Sequence, residues 1–212
     1  PKTRIIMKKL LLGIAAVCLA GFTFAQDAPL WMRHSVISPD GTTIAFTYKG
    51  DIYTVPVAGG RAMQITTNPA YDTAPVWSPD SKRIAFASDR MGSLDVYIVA
   101  KDGGEPRRLT THSGSETPLA FTDAGHVLFS AGIMPSAEAV VFPSNGQFNQ
   151  VYRVSVEGGR PTMISSMPME CISINKEGAM LYQDKKGYED YWRKHHVSPI
   201  ARDIWMYTPG KE

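Results

Sequence analysis

Ser38-Pro39-Asp40-Gly41-Thr42-Thr43-Ile44-Ala45-Phe46 returns 40 residues later as Ser78-Pro79-Asp80-Ser81-Lys82-Arg83-Ile84-Ala85-Phe86. A weaker copy, Thr122-Asp123-Ala124-Gly125 before His126-Val127-Leu128-Phe129, follows after 44 residues, and a fourth, Asn175-Lys176-Glu177-Gly178 before Ala179-Met180-Leu181-Tyr182, after 53. Each copy is a tight turn followed by a strand: Pro presets φ, Gly accepts positive φ, and the apolar run alternates β-branched and aromatic residues. The second half of the unit repeats as well. Asp51-Ile52-Tyr53-Thr54-Val55 matches Asp95-Val96-Tyr97-Ile98-Val99 and Gln150-Val151-Tyr152-Arg153-Val154, and each leads to a Gly-Gly pair at 59–60, 103–104 and 158–159. A short closing strand comes next, as in Arg61 to Thr66 or Pro106 to Thr110.

Four short antiparallel strands per unit cannot bury both faces of their sheet alone, so the units must stack on one another. A four-stranded unit recurring every 40–45 residues is the signature of a propeller blade. The expected fold is therefore an all-β propeller of about four blades, at roughly 30–67, 73–111, 116–166 and 169–212. A β-sandwich also has many short strands but gives no reason for a motif to recur. The last unit stops at Ile204-Trp205-Met206-Tyr207 without a closing strand, so the ring is expected to be incomplete and residues 26–212 to form part of a propeller.

The first 25 residues have a different character. Met7-Lys8-Lys9 is a basic start, Leu10 to Phe24 is an uncharged apolar run, and Thr23 and Ala25 are small residues before Gln26. This pattern predicts a signal peptide over 1–25, with Met7 the better start and export to the periplasm or beyond. The run is short for a bilayer span, so no stable membrane anchor is expected after cleavage. The formal charge of +2 rests on Lys2, Arg4, Lys8 and Lys9; without those four cations it is −2. Nucleic acid is thereby removed as an expected partner. Beyond the leader only Cys171 remains, so no intrachain disulfide can form, and its place in Glu170-Cys171-Ile172-Ser173-Ile174 predicts a buried strand thiol.

The Ser-Pro-Asp-Gly, Ile-Ala-Phe, Asp-Ile-Tyr, Gly-Gly and Leu-Thr series resembles the WD-like propeller repeats of TolB and of tricorn-type proteases. The opening Leu30-Trp31-Met32-Arg33-His34, and Lys186-Gly187-Tyr188-Glu189-Asp190-Tyr191-Trp192-Arg193 before Ile204-Trp205, look like the start of a bacterial tricorn protease homologue. That resemblance covers the chain from about Pro29. It implies a non-catalytic N-terminal propeller that guides or filters peptides toward a serine-peptidase core in later domains. No position here matches that family's catalytic serine, histidine or glutamate, so no catalytic residue carries over. Two other readings stay open: a TolB-like periplasmic scaffold, and the propeller of a dipeptidyl-peptidase-like hydrolase.

Chemistry within the chain is sparse. No nucleophile elbow, His-Glu-x-x-His or phosphate-binding Gly loop occurs. His112 beside Ser113-Gly114-Ser115 reads as a solvated loop, because adjacency in sequence does not orient a base. His195 and His196 lack spaced ligand partners, so no metal and no cofactor is expected. With Tyr191, Trp192 and Arg193 they form the one candidate contact surface for peptide or partner. The excursion from Ile133 to Gln150 invites a similar reading. Asp72 and Glu116 stand before the first strands of their blades, facing the ring's opening or capping a turn, and Asp89-Arg90 reads as a structural pair or turn. Expected partners are peptides or unfolded polypeptides, downstream domains of the same protein, and further copies of the chain as a homo-oligomer.

Overall fold

A computed structural model describes residues 31–132, 149–167, 169–175, 177–184 and 203–208. Every regular element among them is a strand. The first sheet is β1 (Arg33–Ile37), β2 (Thr43–Tyr48), β3 (Asp51–Pro56) and β4 (Met63–Gln64). The second is β5 (Asp72–Trp77), β6 (Arg83–Ser88), β7 (Asp95–Ala100) and β8 (Arg107–Arg108). The third is β9 (Glu116–Asp123), β10 (His126–Ala131), β11 (Gln150–Ser155) and β12 (Thr162–Ser165). The fourth has three described strands, β13 (Met169–Ile174), β14 (Met180–Asp184) and β15 (Ile204–Tyr207). Each sheet is an antiparallel meander in sequence order. The first strands of successive sheets pack against one another, β1 on β5, β5 on β9 and β9 on β13. They therefore stand innermost, and the described residues form four blades of a β-propeller.

The Ile-Ala-Phe repeat explains how one blade sits on the next. Successive strand residues point to opposite faces. In β6, Ile84 and Phe86 join Ala45, Ile52, Ile65, Trp77, Tyr97 and Val99 in a core between the first two blades. Ala85, between them in sequence, turns to the other face and joins Val127, Phe129, Tyr152 and others between the second and third. Leu128 and Val151 face Met169, Met180 and Tyr182 in a third core beyond. Large residues on one blade thus fill the space left by a small residue on its neighbour, and inner sheets bury both faces. Within each blade a cross-strand aromatic pair repeats: Phe46 on Tyr53, Phe86 on Tyr97 and Phe129 on Tyr152, with ring centroids 5.9, 6.0 and 5.7 Å apart. Such offset pairs add to plain area burial. In the fourth blade Tyr182 faces Trp205 at the matching register.

The closing segments contribute a polar device as well. The Thr66 hydroxyl accepts from the Ile52 amide at 3.0 Å, and Thr110 accepts from Val96 at 2.9 Å. Each threonine sits in the Leu-Thr or Ile-Thr pair after Gly-Gly and supplies a buried amide with its acceptor.

Candidate functional site

The site is built from the turn motif and the innermost strands that lead into it. In the first blade Ser38 Oγ donates to Asp40 Oδ1 at 2.6 Å, while the Thr42 amide donates to the same oxygen at 2.9 Å. The Thr43 amide donates to Ser38 Oγ at 3.0 Å. The second blade repeats this with Ser78, Asp80, Lys82 and Arg83 at 2.5, 3.1 and 2.9 Å. Those donors, Ser38 first, hold the exposed Asp40 carboxyl down to about 2, and Ser78 lowers Asp80 in the same way. The turn is thus a closed hydrogen-bond ring that fixes where each innermost strand ends. Neighbouring turns are tied together, since the Asp40 amide donates to Ser81 Oγ at 3.1 Å.

The innermost strands share a kink. His34, Ala74 and Cys171 occupy equivalent positions and all have left-handed φ, 50°, 51° and 52°. The pairing register shifts at each of these places, marking β-bulges in β1, β5 and β13. Bulges of this kind re-aim the residues beyond them. The third blade carries Pro118 here, which cannot adopt that φ, and its register shifts fall between His126 and Val127 and between Leu128 and Phe129. Beyond the kinks, the strand ends converge on a cavity of about 730 Å³ lined from all four blades, by Val36, Ile37, Trp77, Phe121, Ile172 and Ile174 among others. Ile37 is 59% exposed there, and Trp77 is held by its Nε1–H donating to the Val36 carbonyl at 3.2 Å. An apolar concavity with an indole in its wall is suited to binding side chains.

The kink also corrects one expectation. Cys171 is exposed, not buried, because the bulge resets the inside–outside alternation from which its burial was read.

At the other end of the innermost strands stand Asp72 and Glu116, the first residues of β5 and β9. Neither faces the ring's opening nor caps a turn with its side chain: both are fully buried between blades. Their amides donate back to the preceding blade, Asp72 to the Gly50 carbonyl and Glu116 to Leu94. Arg90 does not pair locally with Asp89. Its Nη2 lies 3.0 Å from both oxygens of Asp72, its Nε donates to Ser88 Oγ, and its guanidinium lies 4.5 Å from the centre of the Tyr97 ring. Asp89 instead accepts from the Tyr71 amide at 2.7 Å. The turn reading of Asp89-Arg90 holds, since the Gly92 amide donates to the Asp89 carbonyl at 2.8 Å, while the pair reading fails because Arg90 reaches back to β5.

Tyr191, Trp192, Arg193, His195 and His196 lie outside the described residues, as does the excursion from Ile133 through residue 148. His112 uses Nδ1 to accept from the Gly114 amide at 3.0 Å, a local turn contact. Among the described residues, no three His, Cys, Asp or Glu side chains gather as a metal site would require. The cavity residues were missed in sequence. Their signal was present, for each stands within a few residues of a turn motif, but periodicity alone does not tell that the first strand of a blade is the innermost.

Comparison with known proteins agrees with this architecture. The family described as the tricorn protease N-terminal beta propeller domain matches residues 29–212. Tricorn protease homolog 1 of Streptomyces coelicolor is 25% identical over 180 residues, which is 84% of this chain but 16% of that protein. The chain therefore spans less than a fifth of that relative. Among solved structures, a putative TolB from Agrobacterium tumefaciens has a TM-score of 0.64 at 17% identity, covering 85% of this chain and 59% of its own. The tricorn protease has a TM-score of 0.52 at 13% identity, covering 72% of this chain and 19% of its own. Those two likenesses speak to fold alone. The repeat, the four stacked blades and a family match running from residue 29 to the last residue agree, and the chain belongs to the tricorn protease N-terminal β-propeller family.

Proposed function

We propose that this chain is the non-catalytic N-terminal propeller of an exported tricorn-like serine protease, whose axial cavity takes hold of peptide segments on their way to a catalytic core. The observation that carries the reading is the cavity itself: about 730 Å³, apolar, and lined by one strand end from every blade. Binding apolar side chains there would raise the local concentration of unfolded polypeptide without any chemistry by the propeller. Ile37 and Ile174 are suited to a test, because Ile37 is largely exposed and Ile174 partly so. In the full-length gene product, Ile37→Asp with Ile174→Asp should raise KM for long apolar peptides about tenfold and leave kcat unchanged, the pattern of lost uniform binding. An unchanged KM in a folded variant overturns the guiding role.

A TolB-like scaffold is the second reading, since an apolar cavity of this kind binds a partner protein without any catalytic core. The coding sequence beyond Glu212 separates the two. A peptidase core supports the protease reading, and further blades followed by a stop codon support the scaffold.

A further inference from the structure

We propose that the junction between the second and third blades is a proton-operated joint: Glu116 holds the blades together while it carries a proton, and its ionisation loosens the packing of β9 against β7. The inference is independent of what the axial cavity binds.

Three equivalent junctions show why this one differs. The positions to compare are the first residue of each blade's third strand and the first residue of the next blade's innermost strand. Between the first and second blades these are Asp51 and Asp72. Asp51 is half-buried and has Gln64 and Thr66 as donors at 3.0 and 3.3 Å, while Asp72 has both oxygens on Arg90. Between the third and fourth the same positions hold Gln150 and Met169, which carry no charge. Between the second and third they hold Asp95 and Glu116, both fully buried, with Arg108 as the guanidinium beside them. The sequence position that corresponds to Arg90 is Ile133 in the third blade, so the arginine that neutralises Asp72 has no counterpart for Glu116.

Arg108 leans toward Asp95, and its own Nε has no hydrogen-bond partner among the described residues. Its Nη2 lies 2.9 Å from Asp95 Oδ2, a charge contact without the alignment of a hydrogen bond, which is why both Asp95 oxygens still lack an aligned donor. Among the described residues neither oxygen of Glu116 has an aligned donor, and the Thr110 hydroxyl is the one hydrogen-bonding group near enough to favour its charge. Two buried carboxylates therefore face one guanidinium. A buried carboxylate without compensation sheds its charge by binding a proton. Every charged or titratable neighbour among the described residues fits that account. Asp95 from β7 adds negative charge, whereas Arg108 from β8 and the Thr110 hydroxyl just beyond it act the other way. Tyr97 on β7, its own ionisation pushed up by burial, stays neutral, and past it Arg90 and Asp72 neutralise each other. Across from Glu116 on its own blade lies Ala131, which has no charge to offer.

The net effect raises Glu116 from 4.5 to about 7, with burial the largest cause. The sign follows. The folded state binds this proton more tightly than the unfolded state, so its contribution is whole below about pH 4.5 and is lost as pH rises toward about 7. Above that the joint holds two negative charges against one positive, and it opens more readily.

Amide hydrogen exchange on the full chain, corrected for the intrinsic pH dependence of exchange, reads the joint directly. Protection of the Val96, Leu109 and Glu116 amides should fall roughly tenfold between about pH 5 and about pH 8. The Asp72 amide, whose carboxylate is neutralised by Arg90, should show no such change. Glu116→Gln keeps a neutral group of the same shape and should hold the acid-level protection at both pH values. Should that variant fail to fold, Asp95→Asn serves, since removing the neighbouring charge moves the transition to lower pH. The proposal is overturned if wild-type protection at the joint does not change with pH, if Glu116→Gln keeps the wild-type dependence, or if Asp95→Asn leaves the transition where it was.

Discussion

Ser81 shows how one side chain can be asked for two things at once. It occupies the slot that Gly41 fills in the first blade, with φ of 57° against 72°. A β-carbon there costs roughly 1 kcal/mol of strain. The same residue's hydroxyl accepts the Asp40 amide of the adjacent turn at 3.1 Å. A hydrogen bond of this kind contributes about 1 kcal/mol. Ser81→Gly should remove strain and bond together and leave the denaturant midpoint nearly unchanged. Ser81→Ala keeps the strain and loses the bond, so it should destabilise by about 1 kcal/mol. A Ser81→Ala midpoint equal to the parent's would show that the inter-turn bond contributes nothing. The sequence carried the turn plainly at this scale, through Ser-Pro-Asp, but not the bond. Asp40 and Ser81 are neighbours only because the two blades stack.

Among the elements, the middle strands are the ones whose packing is written most directly in their residues. The alternation of large and small in Ile84-Ala85-Phe86 assigns one face to the previous blade and the other to the next. Ala85 is fully buried against the third blade's Phe129 cluster. Ala85→Leu should therefore overpack that junction and cost about 1–3 kcal/mol, read as a lowered unfolding midpoint. A variant as stable as the parent would mean the second and third blades are less closely packed than they stand here. The innermost strands are the harder case. A simple period of two predicted that Cys171 would be buried, but the bulges at His34, Ala74 and Cys171 shift the phase partway along. No residue type announces those bulges: a histidine, an alanine and a cysteine share one backbone conformation. It goes with the register shift between the innermost strand and its neighbour, not with local propensity.

For the molecule as a whole, stability and function are divided between junctions and axis. Each junction has its own apolar cluster, so the blades depend on their neighbours as repeats do. The proposed export of the chain belongs to this scale too. If the leader is a signal peptide, N-terminal sequencing of the protein recovered from outside the cytoplasm should start at Gln26, one residue past Ala25. A mature protein that still begins at Met7 would sink the export reading.

The amino-acid sequence by itself determined the number of repeats, the strand order within each and the turn that joins the first two strands, because all three depend on contacts within about 40 residues. Only the tertiary structure decided what those repeats do to one another. It brought four strand ends from Val36 to Ile174 around a single cavity. It took Arg90 from its neighbour Asp89 and gave it to Asp72, and it buried Glu116 beside Asp95 with a shared arginine. The physical reason is burial. A carboxylate's partner and charge state are set by which groups remain when water is excluded, and water is excluded only once the blades have stacked.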